Sequence, residues 1–178
     1  MRLLLHTCCG PCLAGCLRGL EGEVPAPLLF WYNPNIHPWT EYRSRRDCLE
    51  AFAKEKKLEL LKADEYGLRG FLRGLENDYE SGDRRCGYCY RLRLERTAET
   101  ARDLGCDCFS TTLLTSPYQR HWEIKKTGEE LAARFGVAFF YRDLRPFFQA
   151  GRQSARQGGL YMQKYCGCVF SEEERYAP

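Results

Sequence analysis

Short apolar runs alternate with longer amphipathic segments along the whole chain. The apolar runs predict strands at residues 3–5, 27–32, 58–61, 108–112 and 138–141. The segments between them predict helices at about 11–19, 41–57, 66–76, 88–104 and 122–135, with a polar loop at 77–85. Pro11 suits a first helical turn, Thr40 is placed to cap the second helix, and Gly136 follows a helix end. The tail from Pro146 is also expected to be helical.

This alternation favours a Rossmann-like α/β fold. It predicts a doubly wound, mainly parallel sheet with helices on both faces, in which ligands bind beyond the carboxyl ends of the strands. Three unusual segments follow predicted strands, namely HTCCGPC, NPNIHP and LLTSPYQ. We therefore expect these loops to share one rim. The length predicts a single domain, residues 1–178, whose C-terminal segment (about 146–178) returns to that rim.

Composition limits the class of protein further. Hydrophobic residues make up 44% of the chain, so a core can form without a metal to replace it. No apolar run reaches the length of a membrane span, and the N-terminus has no signal-peptide layout. We therefore expect a cytoplasmic protein without membrane association, whose thiols bind metals rather than pair.

Seven of the eleven cysteines fall into three tight groups. They are Cys8, Cys9 and Cys12; Cys86 and Cys89; and Cys166 and Cys168. Thiols this close in sequence cannot each reach a distant disulfide partner without strain, but they can converge on a metal. The groups therefore indicate a metalloenzyme. The other four, Cys16, Cys48, Cys106 and Cys108, are expected to pack as small apolar residues.

Three kinds of site fit these groups unequally. The pair Cys9 and Cys12 ahead of a helix matches thioredoxin-type redox motifs, but five clustered cysteines then have no role. A structural zinc bound by Cys9, Cys12, Cys86 and Cys89 would leave three idle. An iron–sulfur cluster uses four thiolates and leaves three for a second metal, which is the sharper hypothesis.

Polar and aromatic residues at the same rim are candidates for binding a substrate. We expect a base to stack on Tyr32 while an amide reads its edge. The candidates for substrate contact are Tyr32, Asn33, Asn35, Gln119 and His121. Asn33 equally fits a residue that caps a turn, and His121 equally fits a surface residue ahead of a helix. Tyr118 is a candidate acid, since its loop should border the metals.

The basic residues are mostly arginine, 20 of 27, and the net charge is +3. Arginine suits phosphate and base stacking, which favours RNA or a nucleotide, although a general preference for arginine over lysine explains the bias equally well. The arginine groups at 43–46 and 84–96 would flank the rim and suit a tRNA backbone, or they are ordinary solvated helix faces.

Five motifs in order resemble the cobalamin-independent epoxyqueuosine reductases. They are HTCCGPC, YNPNIHPWTEYRSR, RCGYCYRLRL, FSTTLLTSPYQRH and YMQKYCGCVFS, and they run from about residue 4 to 171. The resemblance implies a HUP-type fold and reduction of epoxyqueuosine to queuosine at the tRNA wobble position. It also implies a [4Fe-4S] cluster beside an additional mononuclear iron, held by the seven grouped cysteines, and an external electron donor of ferredoxin or flavodoxin type.

Within this resemblance, Tyr118 and Cys12 are the expected catalytic residues. Tyr118 would protonate the leaving epoxide oxygen. Some relatives have an aspartate where this chain has Cys12, so this ligand belongs either to the cluster or to the additional iron.

Two other functions remain open at this point. An ATP-dependent tRNA-thiolation enzyme of related fold would carry a glycine-rich phosphate loop after the first strand, where this chain has TCCGPC. A metal-stabilised RNA-binding module would bind tRNA without redox activity.

Overall fold

The computed structural model describes residues 1–24, 26–76 and 79–177. Its centre is a five-stranded parallel sheet in the order β3-β2-β1-β4-β5. The strands are β1 Leu3–His6, β2 Leu28–Trp31, β3 Leu60–Lys62, β4 Cys108–Thr111 and β5 Ala138–Phe139. Strands β1, β2 and β4 are buried along their full length, as expected for a sheet covered on both faces.

Seven α-helices surround the sheet in the described residues. They are α1 Gly10–Leu20, α2 Trp39–Glu55, α3 Leu68–Gly74, α4 Gly82–Asp103, α5 His121–Phe135, α6 Phe148–Gln157 and α7 Val169–Tyr176. Helix α1 packs against α2 and α6, and α4 packs against α5. Right-handed crossovers place these two sets on opposite faces of the sheet, which confirms the predicted doubly wound α/β fold.

The strand order creates one point where the chain reverses direction across the sheet. From β1 the chain moves outward to β2 and β3, then returns to β4 on the other side of β1. His6 is in register with Phe30 of β2 and with Thr111 of β4, so three strands end at the same edge. A crevice at such a reversal is the expected ligand site of an open α/β sheet. The three unusual loops therefore share one rim, as predicted.

Several predicted boundaries are wrong by a few residues. Helix α2 begins at Trp39 and has no side-chain cap, so Thr40 lies inside it rather than before it. Helix α4 begins at Gly82, because Ser81 Oγ accepts a hydrogen bond from the Arg84 backbone N–H at 3.3 Å. The predicted polar loop at 77–85 is therefore shorter, and residues 77 and 78 lie outside the described residues. Both Cys86 and Cys89 consequently lie in the first two turns of α4.

The predicted helical tail contains two helices separated by an irregular segment. Helix α6 lies directly on α1, since a Cβ atom built on Gly151 would come within 2.5 Å of the Gly15 backbone. Residues 158–168, here called the strap, then cross the rim and carry Cys166 and Cys168. Helix α7 begins immediately after Cys168, whose side chain accepts a hydrogen bond from the Ser171 backbone N–H.

Candidate metal centre and substrate cavity

The first thiol group is compact and buried. Cys8 and Cys9 follow β1, and Cys12 lies in the first turn of α1, where Pro11 favours the helical start. The three sulfur atoms all lie within 4.8 Å of one another, and each residue is at most 7% exposed. Such a buried trio of soft donors on adjoining elements has the chemistry of a site for iron or zinc.

Protonation of this group is linked among its members. Hydrogen bonds from Cys12, Cys9 and Thr112 lower the pKa of the Cys8 thiol. Burial raises the pKa of Cys9, and the hydrogen bond with Cys8 raises that of Cys12. Cys8 is therefore the member of this group whose thiolate is most favoured, because two neighbouring thiols stabilise it. A bound cation replaces those protons and compensates the charge, so these residues fit a metal.

The second thiol group comes from two distant parts of the chain. Cys86 and Cys89 lie one helical turn apart on α4, and Cys166 and Cys168 lie on the strap, with their sulfurs 3.7 Å apart. All four line a cavity of about 210 Å³. Four thiols that line one cavity match in number the ligand set of an iron–sulfur cluster.

Cys166 connects the two groups. It lines the smaller cavity with Cys86 and Cys89, and it also lines a larger cavity of about 660 Å³ with Cys8 and Cys12. Hydrogen bonds from Cys168 and Ser171 lower its pKa to about 5. Six of the seven predicted metal ligands therefore line two adjoining cavities at the sheet edge, and the seventh, Cys9, lies directly beside Cys8 and Cys12.

Two buried arginines accompany the thiols. Arg93 is 4% exposed and donates from a terminal guanidinium nitrogen to Cys89 Sγ at 3.1 Å. Burial raises the pKa of Cys89 to about 11, and Arg93 opposes that rise. Arg45 is 1% exposed and forms an ion pair with Glu41, N–O distance 2.6 Å. Positive charge is therefore present where the thiolates would otherwise concentrate negative charge.

These two arginines correct an expectation from the sequence. Arg45 and Arg93 fall within the groups predicted to suit a tRNA backbone, but their burial excludes contact with a bulky nucleic acid. A signal for this was present, because each lies on the apolar stripe of its helix. Arg45 shares that stripe with Tyr42 and Leu49, three and four residues away. An arginine at such a position needs a buried anionic or carbonyl partner.

The strap is fastened by backbone and side-chain hydrogen bonds. Arg45 donates to the backbone carbonyls of Tyr165 and Cys166, both at 2.9 Å. The His37 backbone N–H donates to the Gly167 carbonyl at 2.7 Å, and the Tyr165 hydroxyl donates to the His37 carbonyl at 2.6 Å. Cys166 and Cys168 therefore depend on contacts with the start of α2 for their position.

The larger cavity opens from the first thiol group towards solvent. Gln163 lines its wall and donates from Nε2 to Cys9 Sγ at 3.1 Å. Gln119 and Tyr118 border both cavities, and Gln119 Oε1 accepts a hydrogen bond from the Tyr90 hydroxyl at 3.0 Å. Gln163 has no counterpart among the predicted site residues, because neighbouring cysteines gave the stronger signal in this part of the sequence.

The predicted substrate residues occupy different settings. Asn33 is buried and braces the ends of β1 and β2, since its Nδ2 donates to the Thr7 carbonyl and its Oδ1 contacts His6 Nε2. Asn35 lines the smaller cavity, and its Oδ1 has no hydrogen-bond partner among the described residues. Gln119 reaches both cavities. Tyr32 is half-buried and stacks on Phe30 with ring centroids 6.4 Å apart.

His121 and Tyr118 depart from their expected surroundings. The alternative that His121 is a surface residue is wrong, because it is 9% exposed and its Nε2 contacts the Ser116 carbonyl at 3.0 Å. Tyr118 borders the site but is 80% exposed. Substrate contact by the predicted residues and an acid role for Tyr118 stay predictions.

Comparison with known proteins gives a consistent result. A family model described as "Epoxyqueuosine reductase QueH" matches residues 3–174. A protein of Dehalococcoides mccartyi with the same description is 37% identical over 175 residues, which cover 98% of this chain and 94% of the relative. One of Thermotoga maritima is 36% identical over 180 residues, covering 97% and 91%. One of Acinetobacter baylyi is 33% identical over 175 residues, covering 96% and 80%.

The overall architecture agrees with this similarity. Among the described residues, none of the helices has both the length and the apolar character needed to cross a membrane. The matched range contains all seven grouped cysteines, the strap and every lining residue of the two cavities except Arg175. The chain belongs to the epoxyqueuosine reductase QueH family.

Proposed function

We propose that this protein reduces epoxyqueuosine to queuosine at the wobble position of tRNA, with a [4Fe-4S] cluster and an additional iron. The observation that carries this proposal is the position of Cys166, which borders a four-thiol cavity on one side and, on the other, a larger cavity that also reaches Cys8 and Cys12. The names of the relatives support the same substrate.

The two thiol groups suit two different metal sites. Cys86, Cys89, Cys166 and Cys168 would hold the cluster, because all four line one cavity and four thiolates are the usual ligand set. Cys8, Cys9 and Cys12 would hold the additional iron, because their sulfurs lie within 4.8 Å of one another and Cys8 and Cys12 line the larger cavity, which a substrate can enter. When bound, the cluster supplies single electrons and the iron supplies Lewis acidity towards an epoxide oxygen.

The protein's own residues prepare this chemistry. Arg93 and Arg45 offset negative charge beside the thiolates, and Gln163 fixes the Cys9 sulfur by hydrogen bonding. Conversion of an epoxide to an alkene takes up two electrons and two protons and releases water. The larger cavity opens to solvent beside Tyr118, so protons can arrive through water or from the tyrosine hydroxyl.

A reductase of this kind needs a partner that delivers electrons one at a time. We propose a ferredoxin or flavodoxin as donor, acting in the cytoplasm where tRNA is modified. The ATP-dependent alternative lacks support in the structure, since the loop between β1 and α1 and the first turn of α1 present three thiols where a phosphate cradle would need free backbone N–H groups.

The test is direct. Protein purified without oxygen is incubated with tRNA that carries epoxyqueuosine and with dithionite, and the nucleosides are then analysed by mass spectrometry. We expect queuosine to form with wild-type protein and not with the Cys166→Ala variant. Epoxyqueuosine that persists with fully iron-loaded wild-type protein would contradict the proposal. Binding of tRNA without any reduction would instead favour the RNA-binding module.

A further inference from the structure

The mouth of the larger cavity carries charge of one sign. Arg152 of α6, Lys164 of the strap and Arg175 of α7 line it, and none of its described lining residues is an aspartate or glutamate. Arg45 lies deeper in the wall and is neutralised by Glu41. Three separate elements therefore place a cation at the same opening.

Within the part of the chain that the structure describes, these three cations lack the ion pairs that many other surface arginines form. Arg91 and Arg134, for example, form ion pairs with glutamates across to a neighbouring helix. Among the described residues, Arg152, Lys164 and Arg175 have no carboxylate partner, and Arg152 only lies over the Phe148 ring at 5.5 Å. Unbalanced positive charge around a concave opening attracts anions from solution and concentrates them there.

An exposed aromatic ring stands at the same opening. Tyr118 contacts the Phe148 ring edge to face, with centroids 5.8 Å apart and an interplanar angle of 81°. Because such a contact covers little of the ring, 80% of Tyr118 remains exposed. Exposed tyrosines beside cations are the usual platform on which proteins stack the bases of single-stranded RNA.

We propose that this opening is a subsite for the RNA strand on either side of the modified nucleotide. Tyr118 stacks on an adjacent base, and Arg152, Lys164 and Arg175 neutralise the flanking phosphates, while the modified nucleotide enters towards Cys8 and Cys12. This inference rests on the proposed function, because it takes the strand to be the anticodon loop of a tRNA. It gives Tyr118 a stacking role in place of the predicted acid role.

RNA fits these features better than another polyanion. The cations alone would be enough to bind an acidic peptide, and such a peptide would make no use of an exposed ring at the edge of a cavity. A duplex would meet the cations through its phosphates, but its paired bases would not reach Tyr118. The combination of an exposed ring, three cations and a cavity of about 660 Å³ matches a strand with unstacked bases.

The first experiment measures RNA binding without requiring reduction. Iron-loaded protein is titrated with a fluorescent anticodon stem-loop RNA that lacks the modification, and binding is followed by anisotropy at several salt concentrations. We expect Arg152→Ala, Lys164→Ala and Arg175→Ala each to weaken binding several-fold. Each should also make the slope of log K against log salt shallower by about 0.7. The matched control is Arg156→Ala, an exposed arginine on the same helix α6 that does not line the cavity.

The second experiment separates stacking from acid catalysis at Tyr118. Tyr118→Ala should weaken RNA binding about tenfold, which corresponds to about 1.4 kcal/mol. Phenylalanine keeps the ring and loses the hydroxyl, so Tyr118→Phe should restore most of the binding that alanine loses. If turnover falls equally with phenylalanine and alanine while binding with phenylalanine is normal, Tyr118 is the acid and the stacking assignment is wrong.

The outcomes separate this inference from the proposed function. Loss of binding in the mouth variants, without reduction of epoxyqueuosine by wild type, would support the subsite and contradict the reductase. Normal reduction of epoxyqueuosine by wild type, with equal RNA affinity in all the mouth variants, would support the reductase and contradict the subsite. Equal effects of Arg156→Ala and Arg152→Ala, or equal competition by duplex DNA or an acidic peptide, would show a general polyanion surface and overturn the subsite.

Discussion

The two thiol groups of the metal centre are held in place in different ways. Cys8 and Cys9 directly follow a fully buried strand and Cys12 lies in the first turn of the buried helix after it, so core formation alone brings their sulfurs within 4.8 Å of one another. The second group joins a helix to the strap, whose position depends on hydrogen bonds to Arg45 and His37. Local sequence preorganises one site, and tertiary contacts assemble the other.

This difference has a consequence for metal loading. Loop closure between α4 and the strap costs entropy that only the docked strap and the bound metal offset. Assembly of the first group requires no comparable loss of chain entropy, because its ligands are neighbours in sequence. We therefore expect the two groups to respond differently to changes in their ligands and in their supports.

Substitution of single ligands should have the largest effect. Cys86→Ala, Cys89→Ala and Cys166→Ala should reduce turnover to background and remove acid-labile sulfide together with most of the iron. Cys9→Ala should also abolish turnover, but it should keep the sulfide and lose only the additional iron. Iron and sulfide analysis with circular dichroism on each folded variant tests this division. Loss of sulfide from Cys9→Ala and its retention in Cys89→Ala would reverse our assignment.

Removal of Arg45, which holds the strap by hydrogen bonds, should have the second largest effect. Arg45→Met leaves the buried Glu41 without its cation, with only the Tyr161 hydroxyl still bonded to it, and releases two strap carbonyls, so the free energy of unfolding should fall by about 3–5 kcal/mol. Sulfide should be lost more readily than the iron of the first group. Urea denaturation and metal analysis measure both effects.

Two further variants keep this prediction falsifiable. Arg46→Met is the matched control, since Arg46 pairs with exposed carboxylates and should cost no more than about 1 kcal/mol. The double variant Arg45→Met/Glu41→Leu should recover much of the lost stability, because no buried charge remains unpaired. Equal destabilisation by Arg45→Met and Arg46→Met would show that the buried pair does not fasten the strap.

Lowering the pH should reduce the stability of both thiol regions by a moderate amount. Burial lowers the pKa of His6, beneath the first group, and of His37, beside the strap, from 6.5 to about 4. Between these values the unfolded chain binds more protons than the folded chain, so the free energy of unfolding should fall as pH drops from 6.5 to 4. His37→Gln should show a shallower fall than wild type at equal metal content. If the urea midpoints of His37→Gln and wild type fell in parallel across this pH range, this prediction would be wrong.

The smallest effect is expected at Cys16, one helical turn beyond Cys12. Its thiol is fully buried against Thr115, with Sγ and Oγ1 3.1 Å apart, and burial raises its pKa to about 12. Cys16→Ala should cost about 1 kcal/mol of stability and leave iron, sulfide and turnover unchanged. Loss of iron from this variant, on the same assay as Cys12→Ala, would place Cys16 among the ligands.

The sequence predicted what depends on local pattern. Alternating apolar runs located every strand, and the spacing of the cysteines identified the seven candidate ligands. Two features were out of reach, because they depend on contacts between distant residues. The position of Cys166 between both cavities requires the path of the strap, and the exposure of Tyr118 requires the position of Phe148. The prediction for Arg45 and Arg93 was wrong for another reason. It rested on their charge alone, whereas the helical periodicity of the apolar residues around them indicates burial.

The close approach of α1 and α6 links the metal ligands to the wall of the larger cavity. Helix α1 carries Cys12, and helix α6 carries Phe148 and Arg152 of the opposite cavity wall. A Cβ atom on Gly151 would come within 2.5 Å of the Gly15 backbone, so the spacing of the two helices depends on a missing methyl group at Gly151. An alanine at Gly151 would act as a wedge that moves the wall away from the metal ligand, whereas one at Gly15 would press on Thr115 and Phe147. Selectivity for the size of the entering nucleotide can therefore change at positions that touch neither nucleotide nor metal.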